Sequence, residues 1–266
     1  MELDNQGLMA MLDKNAKKKA HLFEHSIPKY MVRCFFAGMF LTIGTSIAVM
    51  VGEQGNHIHP DLGKFFFAFM FSWSLVMIIY MDTELGTSNM MYLTSAVHRK
   101  ILKPMGAVKI LVTCIILNLL GGIVFSFLIS KTNIFQNLPA DHFLFTAVSG
   151  KLAKTNVQIL SEGIFANVIV NTAVIASARM KDDAGKLFAV VFIIFIFAFL
   201  GFEHVIANFA SFTMAFFVNG GPVSNMSIAT VLNNWGFALV GNYIGGGLLI
   251  GFVYSWLNRG ETVYYD

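Results

Sequence analysis

The sequence predicts an all-α, polytopic membrane protein with six transmembrane spans. Hydrophobic residues make up 56% of its 266 positions and charged residues only 12%, which gives more apolar surface than a soluble domain of this length can bury. Long apolar runs follow one another along the chain, and the second and fifth are too long for one straight crossing. We therefore expect one membrane domain, embedded in a lipid bilayer, in which spans two and five are broken.

The first 30 residues are polar and contain lysines, and we predict that they form an amphipathic segment on the cytoplasmic surface. Apolar residues from Leu8 to Leu12 and at Leu22 and Phe23 flank a lysine cluster at residues 17–19 with helical spacing. A solvated tail that only fixes the topology is the alternative. Residues 31–258 then form the six-span domain, and residues 259–266 form a cytoplasmic tail.

The first half of the domain contains three predicted spans. Span one covers residues 34–52 and is followed by a loop over residues 53–63. Span two covers residues 65–97 and is interrupted by the polar segment from Asp82 to Ser88, so we expect two half-helices around a short loop. Hydroxyl groups can satisfy the freed backbone groups there, and Gly86 relaxes the limits on the backbone. Span three covers residues 110–130.

The second half begins after a polar loop over residues 131–154 and also contains three predicted spans. Span four covers residues 163–178 and contains Asn167 and Asn171. Span five covers residues 187–218, and a helix of that length would reach about 48 Å, against a hydrocarbon core of about 30 Å. A break near residues 201–204 resolves this excess. Span six covers residues 229–257.

The break in span five is the first candidate for a functional site. Glu203 and His204 stand side by side in an otherwise apolar run. A charged group at membrane depth costs roughly 2.5–3.5 kcal/mol or more, so both side chains should face a protein-lined or watery space. The candidate is therefore a polar site buried at the depth of the membrane.

Basic residues predict the orientation of the chain. Six crossings place both termini on one side, and of the 18 Lys and Arg residues only Lys64, Lys131, Lys151 and Lys154 then lie on the other. This asymmetry predicts cytoplasmic termini in the cell (inner) membrane. It also accounts for the net charge of +3 without a nucleic-acid partner. Cys34 and Cys114 fall inside spans and are expected to be free thiols.

A weak internal repeat relates the two halves. Asn118, Gly121 and Gly122 in span three recur as Asn242, Gly245 and Gly246 in span six, and each set follows a broken span. Two units of three crossings each must be inverted relative to one another, and matching broken spans in inverted halves predict a transport path at their interface. The alternative is that glycines in both spans serve only close helix packing.

Four motifs together resemble the formate/nitrite transporter family over essentially the whole chain. They are the segments of residues 84–88, 166–170, 201–208 and 241–251. The resemblance implies an aquaporin-like six-span protomer with broken spans two and five, assembled as a homopentamer. Each protomer would have its own pore for small monovalent anions, with no cofactor and no metal.

The resemblance also assigns roles to individual residues. It implies a mid-pore histidine at His204, its neighbouring acid at Glu203, a loop threonine at Thr87 and an outer-vestibule lysine at Lys151. Two further polar positions fall on Asn167 and Asn208. The apolar constrictions fall on Phe71, Leu75, Leu85, Val170 and Phe197.

The chain departs from the family pattern at two positions. The family's usual sequence of an acid, Leu, Phe and Thr is here Glu84, Leu85, Gly86 and Thr87, and its span-four cysteine is Asn171. We expect the loop containing Glu84, Gly86 and Ser88 to influence selectivity. A wider slit at Gly86 would be more similar to the hydrosulfide-conducting branch than to the formate or nitrite branches.

The chemistry of the polar residues is consistent with anion transport. An anion that enters an apolar constriction loses hydration, and the imidazole of His204 beside the hydroxyl of Thr87 offers donors that replace part of it. A proton-coupled carrier of weak monoacids is an alternative. An intramembrane enzyme using Glu84, Glu203 and His204 is a second, but no His-Glu-x-x-His pair, nucleophile elbow or phosphate loop occurs. A neutral-solute channel is a third, but paired Asn-Pro-Ala signatures are missing.

Overall fold

A computed structural model describes residues 7–219 and 223–258, and every regular element in these ranges is helical. Within them, six helices are long and apolar enough to cross a membrane, which confirms the predicted six-span fold class. The predicted tail at residues 259–266, with Arg259, lies outside the described residues. The twelve helices are α1 (Leu8–His25), α2 (Ile27–Ile58), α3 (Leu62–Phe71), α4 (Trp73–Tyr80), α5 (Gly86–His98), α6 (Pro104–Ser130), α7 (Phe143–Leu152), α8 (Asn156–Arg179), α9 (Asp183–Leu200), α10 (Val205–Asn219), α11 (Ile228–Asn242) and α12 (Val253–Leu257).

Helix α1 is amphipathic, but its apolar face packs against the rest of the protein. Met9, Leu12 and Ala16 are buried in the same cluster as residues of the spanning helices. The lysines at residues 14, 17 and 18 are exposed on the opposite face. Helix α2 begins at Ile27, with a proline in its first turn, so the predicted boundary at residue 30 lies inside this helix.

In each half, the first and last spanning helices pack against each other in the same way, through glycines at the crossing points. A β-carbon added at Gly121 of α6 would collide with the backbone of Phe35 in α2. In the second half, a β-carbon added at Gly245, in the π-helical segment Tyr243–Phe252 that continues α11, would collide with the backbone of Ile164 in α8. Only the smallest residue permits these backbones to touch, so both glycines serve close helix packing.

The break predicted at residues 82–88 is shorter than expected. Helix α4 ends at Tyr80, and Gly86, Thr87 and Ser88 already form the first turn of α5. The helix begins at residue 86 because the Gly86 N–H, which has no partner within a helical first turn, donates to Asn118 Oδ1 at 2.8 Å. The non-helical segment is therefore residues 81–85.

Helical structure is also interrupted at residues 201–204. Helix α9 ends at Leu200, and Gly201 follows in the left-handed conformation with φ of 71°, which favours glycine at a helix end. The chain then runs through Phe202, Glu203 and His204 without helical structure until α10 begins at Val205. That each pair of helices around a break makes a single crossing stays a prediction.

The interpretation of residues 131–154 as a polar loop misses a helix. Helix α7 occupies Phe143–Leu152 and buries Leu144, Phe145 and Val148. A short 3₁₀ turn, Asn133–Phe135, precedes it. The apolar residues 143–145 indicate a buried element. A helix of ten residues is too short to cross a membrane, however, so a search for membrane spans does not reveal it. Lys151 thus lies on a helix and not on an open loop.

Candidate functional site

Thr87 and His204 meet where the two breaks approach each other. Thr87 Oγ1 lies 2.8 Å from His204 Nε2, and the two residues are 0% and 3% exposed. The Ala207 N–H donates to His204 Nδ1 at 3.2 Å, so the proton of the neutral ring is on Nε2. The imidazole therefore donates to the Thr87 hydroxyl. The structure brings together the two residues that the sequence analysis placed at the centre of the path.

One asparagine side chain holds the break in the second half. Asn242 Nδ2 donates to the carbonyls of Glu203 (2.9 Å) and Gly163 (2.8 Å), and Asn242 Oδ1 accepts from the Val205 N–H (2.8 Å). The bonds to the Glu203 carbonyl and the Val205 N–H satisfy backbone groups that the break leaves free, and the bond to the Gly163 carbonyl, inside α8, ties the break to that helix. We call this arrangement the Asn242 clamp.

Asn118 does the same for the break in the first half. Its Nδ2 donates to the carbonyls of Glu84 (2.9 Å) and Cys34 (2.7 Å), and its Oδ1 accepts from the Gly86 N–H (2.8 Å). In both halves the bonded groups are the carbonyl of a glutamate and the N–H two residues later. This Asn118 clamp is the geometric counterpart of the Asn242 clamp and supports the predicted internal repeat.

The carboxylate of Glu203 is fully buried and is held by two lysines. Lys151 Nζ lies 2.9 Å and Lys154 Nζ 2.7 Å from Glu203 Oε1. Asn208 and Asn234 donate to the other oxygen, Oε2. A buried carboxylate requires such partners, because an unpaired charge there is strongly unfavourable. Lys151, Glu203 and Asn208 thus belong to one network, and the sequence analysis gave no role to Lys154 or Asn234.

Glu84 has a matching environment in the first half. Lys19 Nζ lies 2.6 Å from Glu84 Oε2, and Asn89 donates to the same oxygen at 3.0 Å. Burial is the largest influence and lowers the pKa of Lys19, but the charge and hydrogen bond of Glu84, together with Tyr92 and Cys114, outweigh it and raise this pKa above its ordinary value. Each break therefore carries a buried glutamate paired with lysine and with the asparagine five residues later. The sequence analysis includes Lys19 only in the lysine cluster at residues 17–19 and predicts no contact with Glu84.

The apolar residues expected to form constrictions surround the Thr87–His204 pair. The ring of Phe197 lies between those of Phe71 and His204, with both centroid distances 5.8 Å. All five predicted constriction residues are at most 5% exposed and belong to one apolar cluster, namely Phe71, Leu75, Leu85, Val170 and Phe197.

Two cavities lie on opposite sides of this cluster. The first, of about 50 Å³, is lined by Phe71, Phe197, Lys151 and Asn208, and we call it the Lys151 cavity. The second, of about 520 Å³, is lined by residues that include Leu75, Leu85, Ser88 and Lys19, and we call it the Lys19 cavity. Thr87 and His204 line neither cavity, so a buried barrier separates the two.

Asn167 hydrogen-bonds to the backbone of Thr87 and lines neither of the two cavities. Its Nδ2 donates to the Thr87 carbonyl at 3.1 Å and to the Asn242 carbonyl at 2.7 Å. Asn171, at the position of the family's cysteine, donates to Asn167 Oδ1 at 3.1 Å. A β-carbon added at Gly246 would meet both amides, so this glycine makes room for them. Asn167 thereby links Thr87 to the second half.

Gly86 lies close to α6 on the side where a side chain would extend, so its lack of a side chain does not leave open space there. A β-carbon built on it would lie 2.9 Å from Ile115 Cγ1 and 3.2 Å from Asn118 Oδ1, so a side chain there would point at α6. Glycine is required for the close approach that lets its N–H reach Asn118. The influence of the loop on selectivity stays a prediction, but it does not follow from space at Gly86.

Replacing Gly86 with Phe is therefore expected to destabilise the protein without changing its preference among anions. Overpacking of this kind costs about 1–3 kcal/mol, and the substitution also displaces the Asn118 clamp. Thermal unfolding in detergent measures the first effect, and the ratio of hydrosulfide to formate flux in vesicles measures the second. Gly106→Phe is the matched control, since a β-carbon at Gly106 meets no atom within 4 Å. A changed ratio in folded Gly86→Phe protein would restore the selectivity hypothesis.

Comparison with known families identifies the chain. The family model described as formate/nitrite transporter matches residues 6–256, which is nearly the whole sequence. The chain belongs to the formate/nitrite transporter family. This membership removes the intramembrane enzyme from consideration, because the family is one of transporters.

Curated members of the formate/nitrite transporter family match along most of their length. An uncharacterized transporter of Bacillus subtilis (strain 168), YwcJ, is 26% identical and covers 96% of this chain and 99% of its own. The formate-nitrite transporter of Plasmodium falciparum (isolate 3D7) is 28% identical, and the match covers 90% of this chain and 81% of that protein. A probable formate transporter of Methanothermobacter thermautotrophicus is also 28% identical, and the match covers 85% of this chain and 87% of that protein.

Two solved structures share the fold of this formate/nitrite transporter. One, described as an FNT family ion channel, has a TM-score of 0.86 at 20% identity and covers 94% of this chain and 98% of its own. The other, described as a pentameric formate channel with formate bound, has a TM-score of 0.72 at 23% identity and covers 86% and 96%. At these identities the likeness shows the fold alone.

Proposed function

We propose that this protein is a membrane channel or transporter for small monovalent anions of the formate, nitrite and hydrosulfide class. Each protomer would contain one path, which runs from the Lys151 cavity to the Lys19 cavity. The observation that carries the proposal is the Thr87–His204 pair, which is buried in the barrier between the two cavities with a separation of 2.8 Å. Membership of the formate/nitrite transporter family supports it.

Lys151 is the residue that would attract an anion to the mouth of the Lys151 cavity, since the wider network of two lysines and two glutamates carries no net charge. Lys151 and Lys154 both contact Glu203, and Lys154 also pairs with Glu162 at its other side. Lys151 is the one of the two that lines the cavity, and its side chain is 22% exposed. A cation at the mouth of a narrow apolar path raises the local concentration of anions.

The barrier itself offers hydrogen-bond donors to an anion that has lost its water. The Nε2–H of His204, beside the ring of Phe197, and the hydroxyl of Thr87, two residues after Leu85, are polar groups next to the constriction residues. Transfer of an anion into an apolar constriction is costly unless such donors replace part of its hydration. The constrictions would gate the path, since all their side chains are buried within one apolar cluster in this structure.

A proton-coupled carrier of weak monoacids is a second candidate, and the apolar nature of the constrictions favours it. A monoacid that takes up a proton crosses Phe71, Phe197 and the leucines as a neutral molecule and avoids the cost of a buried charge. His204 is an imidazole at the centre of the barrier, where such a proton could be exchanged. The two candidates differ in whether a proton gradient drives accumulation.

The assembly and orientation that we propose follow from the surface of the chain. One face of α6 exposes apolar side chains about every four residues, at Val108, Val112, Ile116, Leu120, Val124 and Phe127. Such a face suits lipid or a neighbouring copy of the chain, and the solved formate channel that shares this fold is described as pentameric. We infer a homopentamer in the cell (inner) membrane. The distribution of basic residues favours a cytoplasmic position for both termini.

Flux into vesicles that contain the purified protein tests the proposed function. We expect formate, nitrite or hydrosulfide to enter faster than into protein-free vesicles, while glycerol enters at the same rate in both. Accumulation above the outside concentration only under an inward proton gradient would identify a carrier, and equilibration without it a channel. If none of the three anions enters faster than into protein-free vesicles, the proposal is wrong.

A further inference from the structure

The N-terminus of α7 is held by two side chains from outside the helix. Glu53 Oε2, on α2, accepts a hydrogen bond from the Phe143 N–H at 2.7 Å. His142 Nδ1, immediately before the helix, accepts one from the Leu144 N–H at 3.1 Å. These two N–H groups belong to the first turn and have no acceptor within the helix. Serine, threonine, aspartate and asparagine are the residues usually found at this capping position, so a histidine is unusual here.

The imidazole of His142 can form this cap in only one protonation state. Because Nδ1 accepts, the neutral ring carries its proton on Nε2, which has no hydrogen-bond partner among the described residues. His142 is 2% exposed. A second proton would go to Nδ1 and turn the acceptor into a donor that faces the Leu144 N–H. The positive N-terminal end of the helix would also repel the added charge.

The charged and titratable groups that face His142 act on it in opposite directions. Burial holds the pKa of His142 below its ordinary value, Glu53 and the adjacent Asp141 raise it, and His57 on α2 lowers it. Because the pKa is lowered in the folded protein, the cap is complete above the ordinary value of about 6.5. It is lost as the pH falls through the lowered pKa.

Helix α7 forms one wall of the Lys151 cavity. Leu144, Val148 and Lys151 line this cavity, so they place three successive turns of α7 along it. The ring of Phe143 lies 5.2 Å from that of Phe67, whose ring lies 5.7 Å from that of Phe71 in the constriction. A shift of the first turn of α7 would therefore reach both the constriction and the lysine that contacts Glu203.

We propose that His142 is a positioning residue that holds α7, and with it Lys151, in place only while its imidazole is neutral. Acidification on the side of the Lys151 cavity would remove the cap, loosen the first turn of α7 and change entry into the cavity. The inference rests on the proposed function, because it assigns to His142 a role in anion entry through Lys151. It adds a pH-sensitive element that is separate from His204 and from the protonation of the anion itself.

Hydrogen exchange of the α7 backbone in vesicles tests the cap without reference to transport. After correction for intrinsic exchange, the wild-type peptide covering residues 143–152 should exchange about fivefold faster at about pH 4.5 than at about pH 7.5, which is the effect of losing one N-cap. His142→Asn keeps an uncharged acceptor and should abolish this difference. His142→Ala should exchange rapidly at both pH values. His59→Asn, an exposed histidine on the same side, is the matched control and should behave as the wild type.

Flux measured in the same vesicles connects the cap to entry. The ratio of His142→Asn to wild-type flux should depart from its neutral value as the pH falls, whereas the ratio for His59→Asn should stay constant. Glu53→Gln keeps an acceptor for the Phe143 N–H but removes a charge that raises the pKa of His142, so it should move the transition to lower pH. An unchanged exchange profile in His142→Asn, or an unchanged midpoint in Glu53→Gln, overturns the inference. Absence of anion flux in the wild type would refute the proposed function instead, and exchange would still decide whether the cap titrates.

Discussion

Replacing His204 with Phe is expected to reduce anion flux to the level of protein-free vesicles while the protein stays folded. The substitution removes the Nε2–H that donates to Thr87 Oγ1 and leaves an apolar ring beside Phe197. The barrier between the two cavities then lacks its central donor, and an anion entering it would lose hydration without replacement. The initial rate of formate or nitrite entry measures this effect. A rate at least about a hundredfold below the wild type is expected if the lost donor costs about 3 kcal/mol.

A control and a conservative variant sharpen this test. His98→Phe changes a half-buried histidine that bonds to Ser255 Oγ at 2.8 Å on α12, outside both cavities, and should retain flux. His204→Gln keeps an amide donor that does not titrate, so flux should remain while any contribution of His204 to the pH profile disappears. Wild-type flux with a wild-type pH profile in His204→Phe would show that the histidine has no part in transport.

Replacing Asn242 with Ala is expected to lower the stability of the protein strongly. The Asn242 clamp satisfies the Glu203 and Gly163 carbonyls and the Val205 N–H, all at buried positions. The Glu203 carbonyl and the Val205 N–H would be left without this partner at about 1–3 kcal/mol each, while the Gly163 carbonyl keeps its bond within α8, so a loss of about 3 kcal/mol is expected. For a chain of this size that corresponds to a fall of roughly 10 °C in the midpoint of thermal unfolding.

Asn118→Ala should have a similar effect, because the Asn118 clamp makes the same three kinds of bond in the first half. Asn233→Ala is the matched control, since Asn233 neighbours the second half's network on α11 but is exposed and bonds only to Asn156 Oδ1 among the described residues. Thermal unfolding of the three variants in one detergent measures the difference. Midpoints for Asn242→Ala and Asn118→Ala equal to that of Asn233→Ala would contradict the clamp interpretation.

The sequence predicted the parts of the fold that depend on local composition. Apolar runs gave the six spans, and the polar residues around Glu84 and Glu203 placed both breaks within a few residues. The Thr87–His204 pair was predicted through the family motifs, because both residues fall on recognisable positions. These features depend on residues close together in the chain or on a pattern shared with relatives.

Contacts between distant parts of the chain could not be predicted in this way. Lys19 and Glu84 are 65 positions apart, and hydrophobic periodicity does not indicate which lysine of a cluster turns inward. The direction of a side chain at residue 86 depends on how closely α5 approaches α6, which no local pattern records. Helix α7 was missed because a short apolar helix inside a polar segment has no length signal. Asn118 and Asn242 were noticed as a repeat, but their bonds to the breaks required the structure.

The two clamps also bear on how the chain is made. Asn118 bonds to backbone groups between residues 34 and 86, and Asn242 bonds to backbone groups between residues 163 and 205. In each clamp, all the bonded groups therefore belong to the same half as the asparagine. When the ribosome has released α6, the first half already contains every group that its own clamp and the Lys19–Glu84 pair require. Synthesis of the second half then supplies His204, Asn167 and Asn171, whose side chains bond to Thr87 across the boundary. The order of translation thus separates the closing of each half from the joining of the two.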